Sequence, residues 1–256
     1  MIKLAARAHS QPPHDYVGEP PKYSAELVAP IPEPSERRPA MSLAYPLSNH
    51  RRQRPAGVLT DALERLGTRM TYDRNEEIYA QDDEVQLLFQ VVRGVVRTSR
   101  VTSDGRRQVG DFYYPGDLFG LEPGPLHRFG AEALADCEVL VVRRGAVRAF
   151  AGDVELDRAI LAATNQEMER LQDHVVMLGR RSARERVGAF LMAVAQRQSG
   201  ACNLPMGRQD MADYLGLTIE TVSRMLTQLQ GEAIVEFPST RRFQIRKPMV
   251  LEELAA

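Results

Sequence analysis

A chain of 256 residues, 43% of them hydrophobic, can build one large core or two small ones, and its 33 Lys/Arg against 34 Asp/Glu leave a formal net charge of −1. No run approaches the roughly 18–20 apolar residues of a membrane span, and the N-terminus lacks the charged-then-apolar layout of a secretory signal. A soluble, cytoplasmic protein with no membrane partner is expected. Two cysteines, Cys137 and Cys202, are too few for a disulfide framework or a four-cysteine iron–sulfur or zinc site within one chain.

Residues 1–50 read as a disordered leader. Nine of the sixteen prolines lie there (12, 13, 20, 21, 30, 32, 34, 39, 46), with few clustered large apolar side chains. Such a segment buries too little to offset its chain entropy. Met41 offers a second start within it.

Val58–Leu66 reads as a short amphipathic helix. From Met70 to about Val142 the texture changes to short β-type runs: Ile78-Tyr79, Leu87–Val92, Val95–Val101 and Gln108–Tyr113, with Ala135–Arg143 as the closing strand. Turn signals separate them, among them Arg93-Gly94, Ser103-Asp104-Gly105 and Pro115-Gly116-Asp117. Strands about ten residues apart with no long helix between them argue an antiparallel β-roll or barrel, placed at 51–152.

A long helix follows, from about Leu156 to Arg180, within a unit placed at 153–180. Leu161, Thr164, Met168, Leu171, Val175 and Leu178 step by threes and fours, which is a heptad seam. Leu161, Met168, Leu171, Val175 and Leu178 are the expected dimerisation residues; the alternative is a helix packed on its own β-domain. Gly179 should break the helix and leave a hinge. Ser182-x-x-Glu185 is a capping box that starts the next helix.

The unit at 181–250 carries the clearest pattern. Leu204–Gln230 reads as two helices joined by a tight turn at Gly216. Met211, Ala212 and Leu215 share one face of the first. Thr218 caps the second, and Glu220 follows in its first turn, where the helix dipole favours an acid. Ile219, Val222, Leu226 and Leu229 are expected to face inward, leaving Glu220, Thr221, Ser223, Arg224 and Gln228 outward. Ile234–Phe237 and Arg242–Lys247 then form a β-hairpin with Arg241 and Arg242 at its tip. Between 181 and 248 stand ten Lys/Arg (181, 184, 186, 197, 208, 224, 241, 242, 246, 247) and six Asp/Glu (185, 210, 213, 220, 232, 236), a local excess of four. This reads as a winged helix-turn-helix with its surplus charge where an anionic partner needs it, the alternative being an ordinary helical hairpin with a charged outer face. Glu220, Ser223 and Arg224 are the base-reading candidates, because the start of a recognition helix enters the major groove. Arg208, Thr218, Thr221, Arg241 and Arg242 are the candidates for the DNA backbone. Cys202, just ahead of the helix-turn-helix, is a candidate redox thiol, with a passive buried cysteine as the competing expectation.

The α+β order of β-roll, long helix and winged helix-turn-helix resembles the Crp/Fnr family of bacterial transcription regulators. The resemblance rests on Gly94, Asp104-Gly105-Arg106-Arg107-Gln108, Gly110 and Pro115 to Gly120, on the stretch ARERVGAF at 183–190, and on YLGLTIETVSRML at 214–226. It covers roughly residues 58–248. It implies a homodimer that binds a palindromic double-stranded operator and acts on RNA polymerase. The E-x-x-S-R pattern implies Glu220, Ser223 and Arg224 on a TTGAT-like half-site. No cysteine precedes Cys137, so the cluster ligands of Fnr proper are missing. The β-roll also lacks the Gly-Glu and Arg-Ser or Arg-Thr pairs of cyclic-nucleotide binders: Gly116-Asp117 and Arg128-Phe129 stand instead. The resemblance is therefore to the FixK-like branch, which implies no cofactor, no metal and control of microaerobic or anaerobic respiration or nitrogen-fixation genes, mainly as an activator. The alternative is an effector-gated regulator with a cyclic nucleotide or haem in the β-roll, where Arg128, His127 and His174 are the residues to consider. No G-x-S-x-G, phosphate-cradling glycine loop, H-x-x-x-H pair or clustered acid/base set appears, so an enzyme is not expected.

Overall fold

The computed structural model describes residues 57–180, 182–198 and 202–255; the expected leader at 1–50 lies outside them. Helix α1 (Val58–Leu66) buries Leu59, Ala62 and Leu63, one side of its first two turns. Two four-stranded antiparallel sheets follow. One has the order β1 (Thr68–Tyr72), β8 (Cys137–Arg143), β3 (Leu87–Arg93), β6 (Leu118–Phe119); the other has the order β2 (Glu77–Tyr79), β7 (Gly130–Ala133), β4 (Val96–Val101), β5 (Arg107–Tyr113).

Side chains alternate across each strand, so β3 and β8 serve two cores at once. Phe89 and Val91, opposite Val141 and Val139, turn into the roll with Tyr79, Val96, Tyr113 and Phe119. Leu88, opposite Val142, turns the other way and packs with Leu59, Leu63, Leu140 and Val147 under the helices. Gly94 makes the β3–β4 turn with φ of 89°, and a Cβ there would lie 2.5 Å from Cys137 Sγ. Only glycine meets both demands.

Sequence periodicity misses four short strands, β1, β6, β7 and β9 (Cys202–Asn203), and two helices, α2 (Arg144–Ala151) and α7 (Pro248–Ala255). The long helix is α3 (Asp153–Arg180), which runs through Gly179 and ends one residue later. Helix α4 (Ala183–Gln196) opens with the expected capping box: Glu185 N donates to Ser182 Oγ, and Ser182 N donates to Glu185 Oε2. Helices α5 (Arg208–Leu215) and α6 (Ile219–Gly231) follow, then the hairpin β10 (Val235–Ser239) and β11 (Arg242–Ile245). Strand β9 makes that hairpin a three-stranded sheet in the order β10-β11-β9. Pro238 sits in edge strand β10 at a register irregularity, where its missing N–H costs no ladder bond.

The roll and the helix-turn-helix share one core. Val95, Val109, Phe112 and Leu134 from the roll cluster with Met177 of α3, Phe190 and Leu191 of α4, Met211 and Leu215 of α5, and Val222 and Leu226 of α6. Phe112 stands at the junction, 6.0 Å from the Phe190 ring and 5.3 Å from the Tyr214 ring. A core that crosses the boundary couples the two parts in unfolding. Phe112→Ala should therefore cost about 3–5 kcal/mol and shift a single urea transition, seen alike by circular dichroism and by amide exchange in β4 and in α6. Two separate transitions, with α6 unmoved, would contradict this shared core.

Candidate nucleic-acid interface

The turn between α5 and α6 needs a left-handed residue, and Gly216 supplies it at φ 61° and ψ 42°. Thr218 then caps α6, its Oγ1 accepting from Thr221 N at 3.2 Å. The apolar positions Met211, Ala212, Leu215, Val222 and Leu229 are fully enclosed, which fixes α6 against α5 along its inner side. Ile219 departs from the expected inward set: it is 38% exposed. As the first residue of α6 it precedes the packed stripe, and periodicity alone extends that stripe one turn too far.

The outer face of α6 is open. Glu220 and Arg224 are exposed and Thr221 and Ser223 half-buried. Glu220 has its carboxyl held below the usual range by its own backbone N–H, then by the Thr218 hydroxyl, so it stands ionised at the helix start. Around this face the cations divide into two groups. Arg246 is paired with Glu236, Arg184 with Glu232, and Lys247 Nζ donates to Glu232 O at 2.7 Å. Arg241 donates to Pro205 O and so ties the wing tip to the connection between β9 and α5. Arg208, Arg224 and Arg242 are exposed and have no ion-pair partner among the described residues.

The long helix α3 places most of its seam outside. Leu161 is 61% exposed, Met168 54%, Leu171 50% and Val175 67%, and Val154, one heptad before Leu161, is 69% exposed. Leu178 does not join them. It packs partly buried against the shared core, near Gly216.

The residues that the effector-gated alternative and a redox role would use are placed as follows. Asp117 is buried, accepting from Tyr114 N at 2.7 Å and from Arg197 Nη1 at 2.9 Å, while Arg128 is exposed. His127 is buried in the roll, stacked on Tyr79 at 3.8 Å with Nδ1 3.0 Å from Glu122. Cys202 is buried in β9 beside the wing, and burial pushes its thiol up. A protonated, enclosed thiol is a poor redox sensor, and the passive reading is the one this placement supports. Among the described residues no three His, Cys, Asp or Glu side chains gather as a metal site requires.

An exposed recognition-type helix, a wing and unpaired arginines on one unit define a winged helix-turn-helix DNA-binding protein. Residues 185–254 match the Crp-like helix-turn-helix domain, and residues 69–153 match the cyclic nucleotide-binding domain. The nitrogen fixation regulation protein FixK of Azorhizobium caulinodans is 42% identical over 233 residues, 84% of this chain and 94% of that protein. The FixK protein of Rhizobium meliloti is 43% identical over 186 residues, 72% of this chain and 85% of that one. The solved structure of FixK2 from Bradyrhizobium japonicum matches with a TM-score of 0.71 and 44% identity, over 75% of this chain and 98% of that chain. The chain belongs to the Crp/Fnr family of transcription regulators, on its FixK-like side, and is a DNA-binding regulator of that kind.

One titration bears on this site. His174 of α3 lies against Tyr214, its ring 4.1 Å from the Tyr214 ring, and Nε2 donates to Tyr214 O at 2.9 Å. Burial holds its pKa below the ordinary value, with the Tyr214 carbonyl and then Asp111 opposing. The folded state therefore keeps His174 neutral at pH values where the unfolded chain, with a pKa of about 6.5, already takes up a proton. The His174 contribution to stability is complete above the unfolded pKa and is lost as pH falls through the depressed folded value. His174→Gln should flatten the fall of melting temperature below about pH 6.5 relative to wild type; a parallel fall in both would place that proton elsewhere.

Proposed function

We propose that two copies of this chain pair along the exposed stripe of α3 and set α6 of each into successive major grooves of a palindromic TTGAT-like operator. The observation that carries this is the open face at the start of α6. Glu220, Ser223 and Arg224 stand there together, and Arg208 of α5 and Arg242 of β11, exposed and without an ion-pair partner among the described residues, are the candidates to meet phosphates. Arg pairs with guanine and Glu accepts from cytosine, so this set has the chemistry to read a mixed half-site. The exposed Ile219 has the right character to lie against a thymine methyl beside them. Thr218 and Thr221, spent partly on capping, contribute at the backbone, and Arg241 serves the wing more through Pro205 than through phosphate.

Dimerisation has its own support. Val154, Leu161, Met168 and Val175 are one heptad apart each and more than half exposed. Four such side chains in line, left in water, are what a second helix covers. The relatives carry the name of nitrogen fixation regulators. We place this chain in the same role, control of nitrogen-fixation or low-oxygen respiration genes, mainly as an activator acting on RNA polymerase, with units at 51–152, 153–180 and 181–250.

Selection of bound sites from random DNA, using the full chain with no additive, should return a two-fold symmetric TTGAT-type site. On that site Arg224→Ala should lose about 1–3 kcal/mol of specific affinity, with random DNA almost unaffected. Arg242→Ala should weaken every duplex and lower the salt slope by about 1. Equal losses on specific and random DNA for Arg224→Ala would remove its base-reading role. Met168→Asp should give monomers on a sizing column; a dimer that survives it would place the interface elsewhere.

A further inference from the structure

We propose that Arg97 and Arg107 are positioning residues for DNA reading: through them the β-roll grips the first helix of the reader, and that grip sets the pose of the second. The inference rests on the DNA-reading role of α6 given above.

The two arginines project from neighbouring strands, β4 and β5, onto two acids of α5. Arg97 Nη1 donates to Asp210 Oδ1, and its Nη2 donates to Glu132 Oε2 at 2.6 Å. Arg107 Nη2 donates to the same Asp210 oxygen at 2.7 Å, and its Nε donates to Asp213 Oδ2 at 2.8 Å. No oxygen of the two acids is left over. Asp210 Oδ2 accepts from Gly207 N at 2.9 Å, at the start of α5, and Asp213 Oδ1 accepts from Gln209 Nε2 at 2.6 Å. Gln108, next to Arg107, adds a bond from Nε2 to Asp213 O at 2.9 Å.

The side chain of Arg97 is 6% exposed and that of Asp210 is 12%. A buried ion pair repays its desolvation poorly, so an apolar contact of equal size would hold the roll to α5 at least as well. What two planar guanidinium forks add over an apolar patch is direction. They fix α5 in rotation and in height. Helix α6 is tied to α5 by the Gly216 turn and by the enclosed Met211, Leu215 and Val222, so it moves with α5 as one piece. The clasp also neutralises two carboxylates on the helix that crosses the DNA backbone in this motif, where bare acids would repel phosphate.

A dimer reads two half-sites with full avidity only when both recognition helices sit about one DNA turn apart, ~34 Å. Loosening the clasp therefore weakens the pair of contacts while sparing each single one. Wild type, Arg107→Gln, Asp213→Asn, the double variant and Arg107→Lys, all as full chains, are titrated against three duplexes. These are the selected palindrome, the same site with one base pair inserted between its halves, and a single half-site. Arg107→Gln and Asp213→Asn should each lose about tenfold or more on the palindrome, lose almost nothing on the half-site, and discriminate less against the inserted base pair. The double variant should lose no more than either single, and Arg107→Lys should recover part. Equal losses on palindrome and half-site, or unchanged affinity and spacing preference, overturn the clasp. If Arg107→Gln lowers the melting temperature, the isosteric Asp213→Asn carries the comparison. Failure of wild type to prefer the palindrome is a different result: it removes the recognition role of α6, and this inference with it.

Discussion

Helix α5 has only eight residues, and both of its ends are held by side chains from elsewhere in the chain. At its start Asp210 caps the helix through Gly207 N and takes the two β-roll arginines on its other oxygen. At its end three carbonyls that a helix of this length leaves without internal partners are each satisfied from a different element. Gln108 of β5 donates to Asp213 O, His174 of α3 to Tyr214 O, and Arg186 of α4 to Leu215 O. A helix this short has little stability of its own. Its geometry is dictated by roll, long helix and α4 together, and α6 inherits that geometry across Gly216.

The parts of this arrangement that obey a local rule can be read in the amino-acid order. Thr218 and the Ser182–Glu185 box follow from capping chemistry, Gly216 from the left-handed turn, and the enclosed Val222, Leu226 and Leu229 from helical spacing. The strands with long alternating runs, β3, β4, β5 and β8, are legible for the same reason. The face Glu220, Ser223 and Arg224 follows once those inward positions are set.

What cannot be read locally depends on partners far along the chain. Strand β9 is two residues long and exists because Cys202 and Asn203 meet β11. Strand β6, equally short, is made by Phe89 and Gln90 of β3. Leu178 fits the heptad by spacing, yet it packs partly buried against the reader's core. Ile219 fits the inward stripe by spacing, yet as the first residue of α6 it stays 38% exposed. The grip of Arg97 and Arg107 on α5 joins residues more than a hundred positions apart. In the sequence Arg107 stands in the motif that carries the family resemblance and Arg97 is one arginine among many, and nothing local pairs either with α5.

This distant pairing changes how a sensor-like roll relates to a reader. The step from α3, which ends at Arg180, to α4, which starts at Ala183, taken alone, suggests two bodies swinging about a joint. The shared core around Phe112, the clasp on α5 and the Arg197 bridge to Asp117, with Arg197 lying 4.7 Å over the Tyr114 ring, bind the two bodies on both sides of that joint. Any rotation of the reader against the roll has to separate buried charges and open an apolar contact together. Each of those costs is unfavourable alone, and they fall on the same motion, so they add rather than offset. A reader held in this way has its pose chosen by folding. An event in the roll that moves α6 has its shortest route through Tyr114 and Asp117, which meet Arg197 at the end of α4, or through Arg97, Arg107 and Gln108, which hold α5.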